Sequence, residues 1–298
     1  MNLAHASEAA HQAAASHTTS AKQASLHTVN FIHLLSDWLG HSPLGEFLHR
    51  FENDIFCAFA IGLLGLVFHF ASRRAELIPG RLQLACEMLV EALKNFVCGI
   101  LGPRGIKYVP FLGTLFIYIW TMNLMGLVPL LKSPTANAMI IHLGPVTLPL
   151  PTTTASLAVM VFLYVQWIGI KEQGILGYLD HMAGTPRDIF GFILTPLMFV
   201  IHVIGELAKP LSLSFRLYGN IWGEDVLIAV FIGLGVGMLA FLPVPAGVPI
   251  HFPFMLLAMV TGTIQAFVFT LLSTVYIAMM LPHEHEGEHA AHAKAAHV

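Results

Sequence analysis

An all-α, polytopic membrane protein is the fold the sequence predicts, and three observations predict it. The 298 residues are 56% hydrophobic and only 10% charged, with a mean hydropathy of +0.74, whereas a soluble domain carries about a quarter charged residues. No Asp, Glu, Lys or Arg occurs between Lys132 and Lys171, or between Asp225 and Glu284, and each gap exceeds the ~20 residues that cross a hydrocarbon core as a helix. The runs are also continuous. Helices satisfy their own backbone groups in lipid, while an outer-membrane barrel would show alternating segments of about ten residues.

The expected architecture is about five membrane-embedded helices plus one interfacial amphipathic helix. Residues 1–51 read as an extramembrane tail and interfacial segment, 52–282 as the membrane domain and 283–298 as a His-rich tail. Positions 1–27 are rich in Ala, His and Ser without apolar periodicity. They contain neither the apolar core of a cleaved signal nor the Arg of a mitochondrial transit peptide. Positions 28–50 hold Phe31, Leu34, Leu35, Trp38, Leu39 and Phe47 among Gly, Pro and His, as a short interfacial segment would.

A first span is predicted from Asp54 to Ser72, closed by Arg73 and Arg74. From Leu82 to Leu101 the pattern changes. Leu82, Ala85, Leu89, Ala92, Leu93, Phe96 and Ile100 recur at three- and four-residue steps, with Glu87, Glu91, Lys94 and Asn95 on the other face. A helix split in this way lies in the interface rather than crossing it. A second span runs from Tyr108 to Leu131 and a third from Thr153 to Ile170. The connection between them, with Pro134, Gly144, Pro145, Pro149 and Pro151, suits an irregular loop. After the polar stretch Lys171–Asp188 comes a long apolar region, Ile189–Leu242, interrupted by Pro196, Pro210 and a charged cluster. A Pro- and Gly-rich turn from Pro243 then leads to a last helix, Phe254–Met280.

Lys and Arg counts orient the chain. Arg73, Arg74, Arg81, Lys94, Arg104 and Lys107 fall between the first two spans, and Lys171 and Arg187 lie on the same side two crossings later. By the positive-inside rule that side is cytoplasmic, with the N-terminus outside and the C-terminus inside. The formal net charge is -3 and there is no basic tract, so nothing points to nucleic acid. The three cysteines, Cys57, Cys86 and Cys98, read as small core residues rather than disulfide partners or metal ligands. Neither a cofactor nor a metal is expected.

The informative segment is His202–Asp225, HVIGELAKPLSLSFRLYGNIWGED. Arg at the centre of a bilayer helix costs roughly 2.5–3.5 kcal/mol on insertion scales, so Arg216 needs a water-filled cavity or a carboxylate partner. On a helix His202, Glu206, Lys209, Arg216, Asn220 and Glu224 share one stripe, with Ser212 at its edge and Asp225 off it. In the simplest reading these residues pair among themselves, Glu206 with Lys209 or Arg216, and hold helices together. In the alternative Arg216, short of acids beside it, awaits a carboxylate from another chain. On the last helix Thr261, Gln265, Leu272 and Tyr276 share a face whose polar members are neutral, either as interhelical glue or as a pathway lining.

These strings carry a resemblance. KPLSLSFRLYGN, Lys209–Asn220, is similar to the signature of subunit a of F-type ATP synthases; IQAFVFTLLSTVYIAMM, Ile264–Met280, resembles that family's final helix, and TMNLMGLVP, Thr121–Pro129, its second crossing. The likeness covers residues 50–282. It implies an ion-channel domain whose last two long helices lie tilted against a ring of c subunits. Subunit b of the peripheral stalk, the remainder of the complex and membrane lipid are the other implied partners. It implies that Arg216 matches the essential arginine separating two half-channels and meeting the ring carboxylate, with Gln265, Asn220 and Ser212 around it. Glu206, His202, Glu224 or Asp225, Thr261 and Tyr276 would line the ion pathway. His202 stands where many members carry an acid, Gly126 where some do, and Ala258 where some have His or Glu. Glu224 lies on the Arg216 stripe while Asp225 has the family spacing, so both stay open.

The resemblance further implies a place in the bacterial plasma membrane and conduction of H⁺ or Na⁺, H⁺ being favoured. No G-x-x-x-x-G-K-[ST] loop is present, so nucleotide chemistry belongs to other subunits. Two other classes compete. A secondary transporter or simple channel would also hold an intramembrane Arg. A membrane metalloenzyme is suggested by seventeen His and the i, i+4 pair His202 and Glu206, but most His lie in the tails.

Overall fold

The structure, a computed structural model, describes residues 51–73, 80–128, 131, 133, 138–143, 146–184, 189–238 and 248–281, with Leu35, Trp38, Leu44, Phe47 and Leu48 before them. The expected N-terminal and His-rich tails, Arg74, Arg187 and the turn at 243–247 lie outside these residues. So does most of the interfacial segment.

Helix α1 spans Glu52–Ser72 and α2 Arg81–Leu101. A 3₁₀ turn, Gly102–Tyr108, leads into α3, Val109–Met125. A hairpin follows, β1 (Ala138–Leu143) and β2 (Val146–Pro151), and then α4, Thr152–Ala183. The two long helices close the fold: α5, Ile189–Met238, and α6, Phe252–Met280. Among the described residues α1, α4, α5 and α6 are long and apolar enough to cross a membrane. The 17-residue α3 is shorter but more enclosed, with Leu112, Ile119 and Met122 fully buried. The all-α polytopic class is therefore found, with one small hairpin added.

Three elements differ from the sequence reading. The second span ends at Met125, and Ser133 lies so close to Gly126 that an added Cβ there would meet Ser133 Cβ at 2.9 Å. The connection to α4 is an antiparallel hairpin, pairing Ala138 with Pro151 and Leu143 with Val146, and not an irregular loop. Ile141 pairs with Leu148 and Ile140 with Pro149, and proline fits because a two-stranded ribbon has edge positions that need no N–H donor. Helix also continues through the polar stretch to Ala183, but it breaks at Gly174, whose φ of 74° and ψ of 166° a side chain would resist.

The region from Ile189 is one unbroken helix of 50 residues despite Pro196 and Pro210. At 1.5 Å per residue that is about 75 Å, more than twice a ~30 Å hydrocarbon core, so α5 runs oblique to the bilayer normal or projects beyond it.

Helix α6 organises the interior by packing on α3, α4 and α5. Ala266, Phe269 and Ile277 are completely buried in the main core. Association in lipid depends on close packing and on interhelical hydrogen bonds. The α3–α6 seam has both: Asn123 Nδ2 donates to the Gly262 carbonyl at 3.0 Å, and Trp120 Nε1 donates to Thr263 Oγ1 at 3.0 Å. A second cluster joins α1 to α3 through Phe56, Ala60, Met122 and Met125.

Candidate functional site

The polar stripe of α5 is split by the packing. Its two edges differ by roughly 80–120° on a 3.6-residue helix. One edge holds Glu206 and Glu224 and turns toward α4 and α6; Glu206 is buried and Glu224 half-buried. The other edge holds Ser212 and Arg216, and both are exposed.

At the N-terminal part of α5, Glu206 is only 7% exposed. Lys209, three residues on, donates to Glu206 Oε1, and Gln166 Nε2 from α4 donates to Oε2 at 3.1 Å. Removing one member of such a buried pair costs roughly 3–5 kcal/mol, because the other charge is left uncompensated. The Lys209 ammonium also sits 5.2 Å from the centre of the Tyr276 ring, a cation–π contact. An open cleft of about 190 Å³, lined by His202, Glu206, Lys209, Met279 and Met280 among others, reaches this carboxylate.

A second cleft, of about 280 Å³, opens between α5 and α6 toward the other end. Here Glu224 Oε1 accepts from Asn220 Nδ2 at 2.6 Å and from the Thr261 hydroxyl at 2.5 Å. Gly219, Gly223, Leu257 and Ala258 are among its other wall residues. Asp225, adjacent in sequence, is exposed and is not among the residues lining this cleft.

Arg216 lies between the clefts, about 15 Å along the helix axis from Glu206 and about 12 Å from Glu224. Among the described residues no carboxylate forms an ion pair with it; Tyr276 is within its electrostatic reach. The reading in which the charged residues pair among themselves therefore holds for Glu206 with Lys209 and fails for Arg216. Above and below the guanidinium runs a strip of small exposed residues, Gly205, Ala208, Ser212, Gly219 and Gly223. A Cβ added at Gly205, Gly219 or Gly223 would meet nothing within 4 Å. Exposed Leu207, Leu211, Phe215 and Trp222 flank the strip.

The Thr261–Glu224 and Tyr276–Lys209 contacts set an antiparallel register between α5 and α6. That register brings Gln265 level with Asn220, one turn from Arg216. Gln265 is buried, its Nε2 has no hydrogen-bond partner, and no hydrogen bond joins it to Arg216. The sequence reading missed Gln166, which reaches Glu206 from α4, and Tyr178, whose hydroxyl donates to Gln166. A Gln inside an otherwise apolar span was the available signal.

An apolar helical body whose exposed Arg216 is paired by no described carboxylate, set between two clefts that each hold a carboxylate, fits a membrane subunit that handles ions. Comparison with known proteins makes this specific. The family model for the ATP synthase A chain matches residues 55–278. The chain is 43% identical over 257 residues to ATP synthase subunit a of Protochlamydia amoebophila, covering 86% of this chain and 90% of that protein. It is 36% identical over 254 residues to ATP synthase subunit a of Oleidesulfovibrio alaskensis, covering 85% and 96%. The subunit of Moorella thermoacetica is 37% identical over 216 residues, covering 72% and 84%. This chain belongs to the ATP synthase subunit a family, and is a multi-pass membrane protein of the ion-translocating sector.

Proposed function

We propose that this chain conducts H⁺ through two half-channels to and from the carboxylates of an adjoining c-subunit ring, coupling ion flow to rotation. In this reading it sits in the bacterial plasma membrane beside subunit b and the rest of the complex. Its N-terminus faces outward and its C-terminus the cytoplasm, so the Glu224 cleft opens outside and the Glu206 cleft inside.

The observation that carries the reading is Arg216, exposed on a membrane-length helix with no ion-paired acid among the described residues. Lipid is a poor neighbour for a guanidinium, and a carboxylate presented by another subunit is a good one. The small-residue strip supports a moving partner, since side chains without bulk let a second helix approach closely and slide. A proton delivered past Glu224 neutralises a ring carboxylate and lets it enter lipid. After a turn of the ring the carboxylate reaches Arg216, whose positive charge favours its ionised form and drives release toward Glu206 and His202. The same charge bars a cation from leaking directly between the clefts.

Protons are favoured over Na⁺ because each cleft offers a single carboxylate already engaged by donors. A hard metal cation needs several oxygen ligands, and Lys209 would repel it.

The decisive variant is Arg216→Ala. It is expected to leave the complex assembled with its c ring, as read by co-purification, and to abolish both ATP-driven ion pumping and ATP synthesis. Retained pumping would overturn the assignment.

A further inference from the structure

The geometry points to Gln166 and Tyr178 as positioning residues that fix how Glu206 handles its proton. The inference rests on reading the Glu206 cleft as a half-channel.

Three observations converge on this pair. Both oxygens of Glu206 are engaged, one by Lys209 on its own helix and the other by Gln166 Nε2 at 3.1 Å. The far end of the same amide is occupied too, because the Tyr178 hydroxyl donates to Gln166 Oε1 at 2.5 Å. An amide NH₂ cannot accept that bond, so the tyrosine holds the side chain with its donor end toward Glu206. Lastly, the break at Gly174 makes the contact possible. On a continuous helix residue 178 would lie about 18 Å beyond residue 166. The reversal instead brings the Tyr178 ring onto Gly169, where an added Cβ would meet ring carbons and Met280 sulfur at 3.2 Å. Gln173 Nε2 donates to the Met280 carbonyl at 2.7 Å and ties the break to the end of α6.

The chemistry follows from the two ends of an amide. Its NH₂ end serves a carboxylate; its C=O end serves a carboxylic acid. Without the tyrosine hydroxyl the amide is free to turn over, so the pair fixes which end of the amide Glu206 meets. The other titratable groups facing Glu206 are Lys209 and His202 on α5 and Tyr276 on α6. None of them contacts the Gln166 amide oxygen among the described hydrogen bonds.

The test measures ATP-driven ion uptake across a pH series, in inverted membrane vesicles carrying the intact complex. Tyr178→Phe keeps the ring on Gly169 and removes only the hydroxyl. It is expected to lower uptake about threefold and to displace the pH profile by about half a unit or more. Gln166→Leu should displace the profile similarly, and adding Tyr178→Phe to it should change nothing further, as for residues acting in series. A loss by the same factor at every pH, additive losses, or an unchanged profile would overturn the inference. Should Gln166→Leu fail to assemble, the Tyr178→Phe profile decides alone. Arg216→Ala in the same vesicles separates the two claims: if it stops uptake while Tyr178→Phe leaves the profile unmoved, only the positioning role fails.

Discussion

The hydroxyl of Thr261 on α6 donates to Oε1 of Glu224 on α5 at 2.5 Å, and Asn220 donates to the same oxygen at 2.6 Å. These bonds draw Glu224, rather than its neighbour Asp225, into the groove between the long helices. Glu224→Gln should therefore reduce ATP-driven ion uptake by tenfold or more, a loss of about 1.4 kcal/mol or more in the rate-limiting barrier. Asp225→Asn should cost less than threefold, on the order of 0.65 kcal/mol. Uptake by membrane vesicles of the two variants, side by side, checks this; the reverse ranking would assign the cleft to Asp225.

Gln265 presents a different case, because its buried Nε2 has no partner. Replacing an unsatisfied buried donor by an apolar group of similar volume is neutral or mildly stabilising, by about 1 kcal/mol at most. Gln265→Leu is expected to leave the melting temperature of the purified complex unchanged or slightly raised while lowering ion pumping several-fold. It should be milder than Arg216→Ala, since no charge is lost. A large drop in melting temperature would make Gln265 a packing residue instead.

The open strip beside Arg216 predicts a substitution harmful to the assembly and harmless to the chain. A Cβ at Gly219 would meet nothing within 4 Å, so Gly219→Leu should not disturb the fold of this subunit. Against a closely sliding helix it should jam or displace the partner. The expected result is normal membrane insertion by protease mapping, with pumping lost or the ring no longer co-purifying. Full pumping in this variant would mean that the strip faces lipid.

Lys107 in the 3₁₀ turn donates to Glu172 of α4 at 2.5 Å, with side chains 48% and 30% exposed. An ion pair this exposed contributes about 0.2–1 kcal/mol. Its hydrogen bond to Glu172 holds the Lys107 ammonium above the usual lysine range. A raised folded value gives stability that is complete below the ordinary lysine range and lost as pH climbs through the folded value. The thermal-stability gap between the native chain and Lys107→Met should persist from neutral to mildly alkaline pH and close only under strongly alkaline conditions. A gap that closes near neutrality would rule out this pair as its source.

Much of the fold was legible in the residues. The long charge-free runs fixed the membrane class, and α1, α2 and α6 fall within a few residues of their expected limits because apolar length and period act locally. The hairpin was not legible. The five Pro and Gly positions of that connection read as irregular, yet cross-strand pairing between 138–143 and 146–151 prevailed. Nor was the Gly174 reversal, since one Gly of three in a polar stretch gives no warning of what the chain will fold back onto.

The candidate site divides along the same line. The sequence alone determined that Arg216 belongs to an intramembrane helix, that Glu206, Lys209, Asn220 and Glu224 share its stripe, and that Gln265 lies with Thr261 and Tyr276 on α6; helical phase is a property of spacing. Only the tertiary structure decided which edge of the stripe is covered. Glu206 is closed in by Lys209 and Gln166, Glu224 by Asn220 and Thr261, and Arg216 is left open. A helix wheel orders residues around an axis but does not say where the neighbouring helices stand. That depends on contacts between segments far apart in the chain, which sequence spacing does not encode.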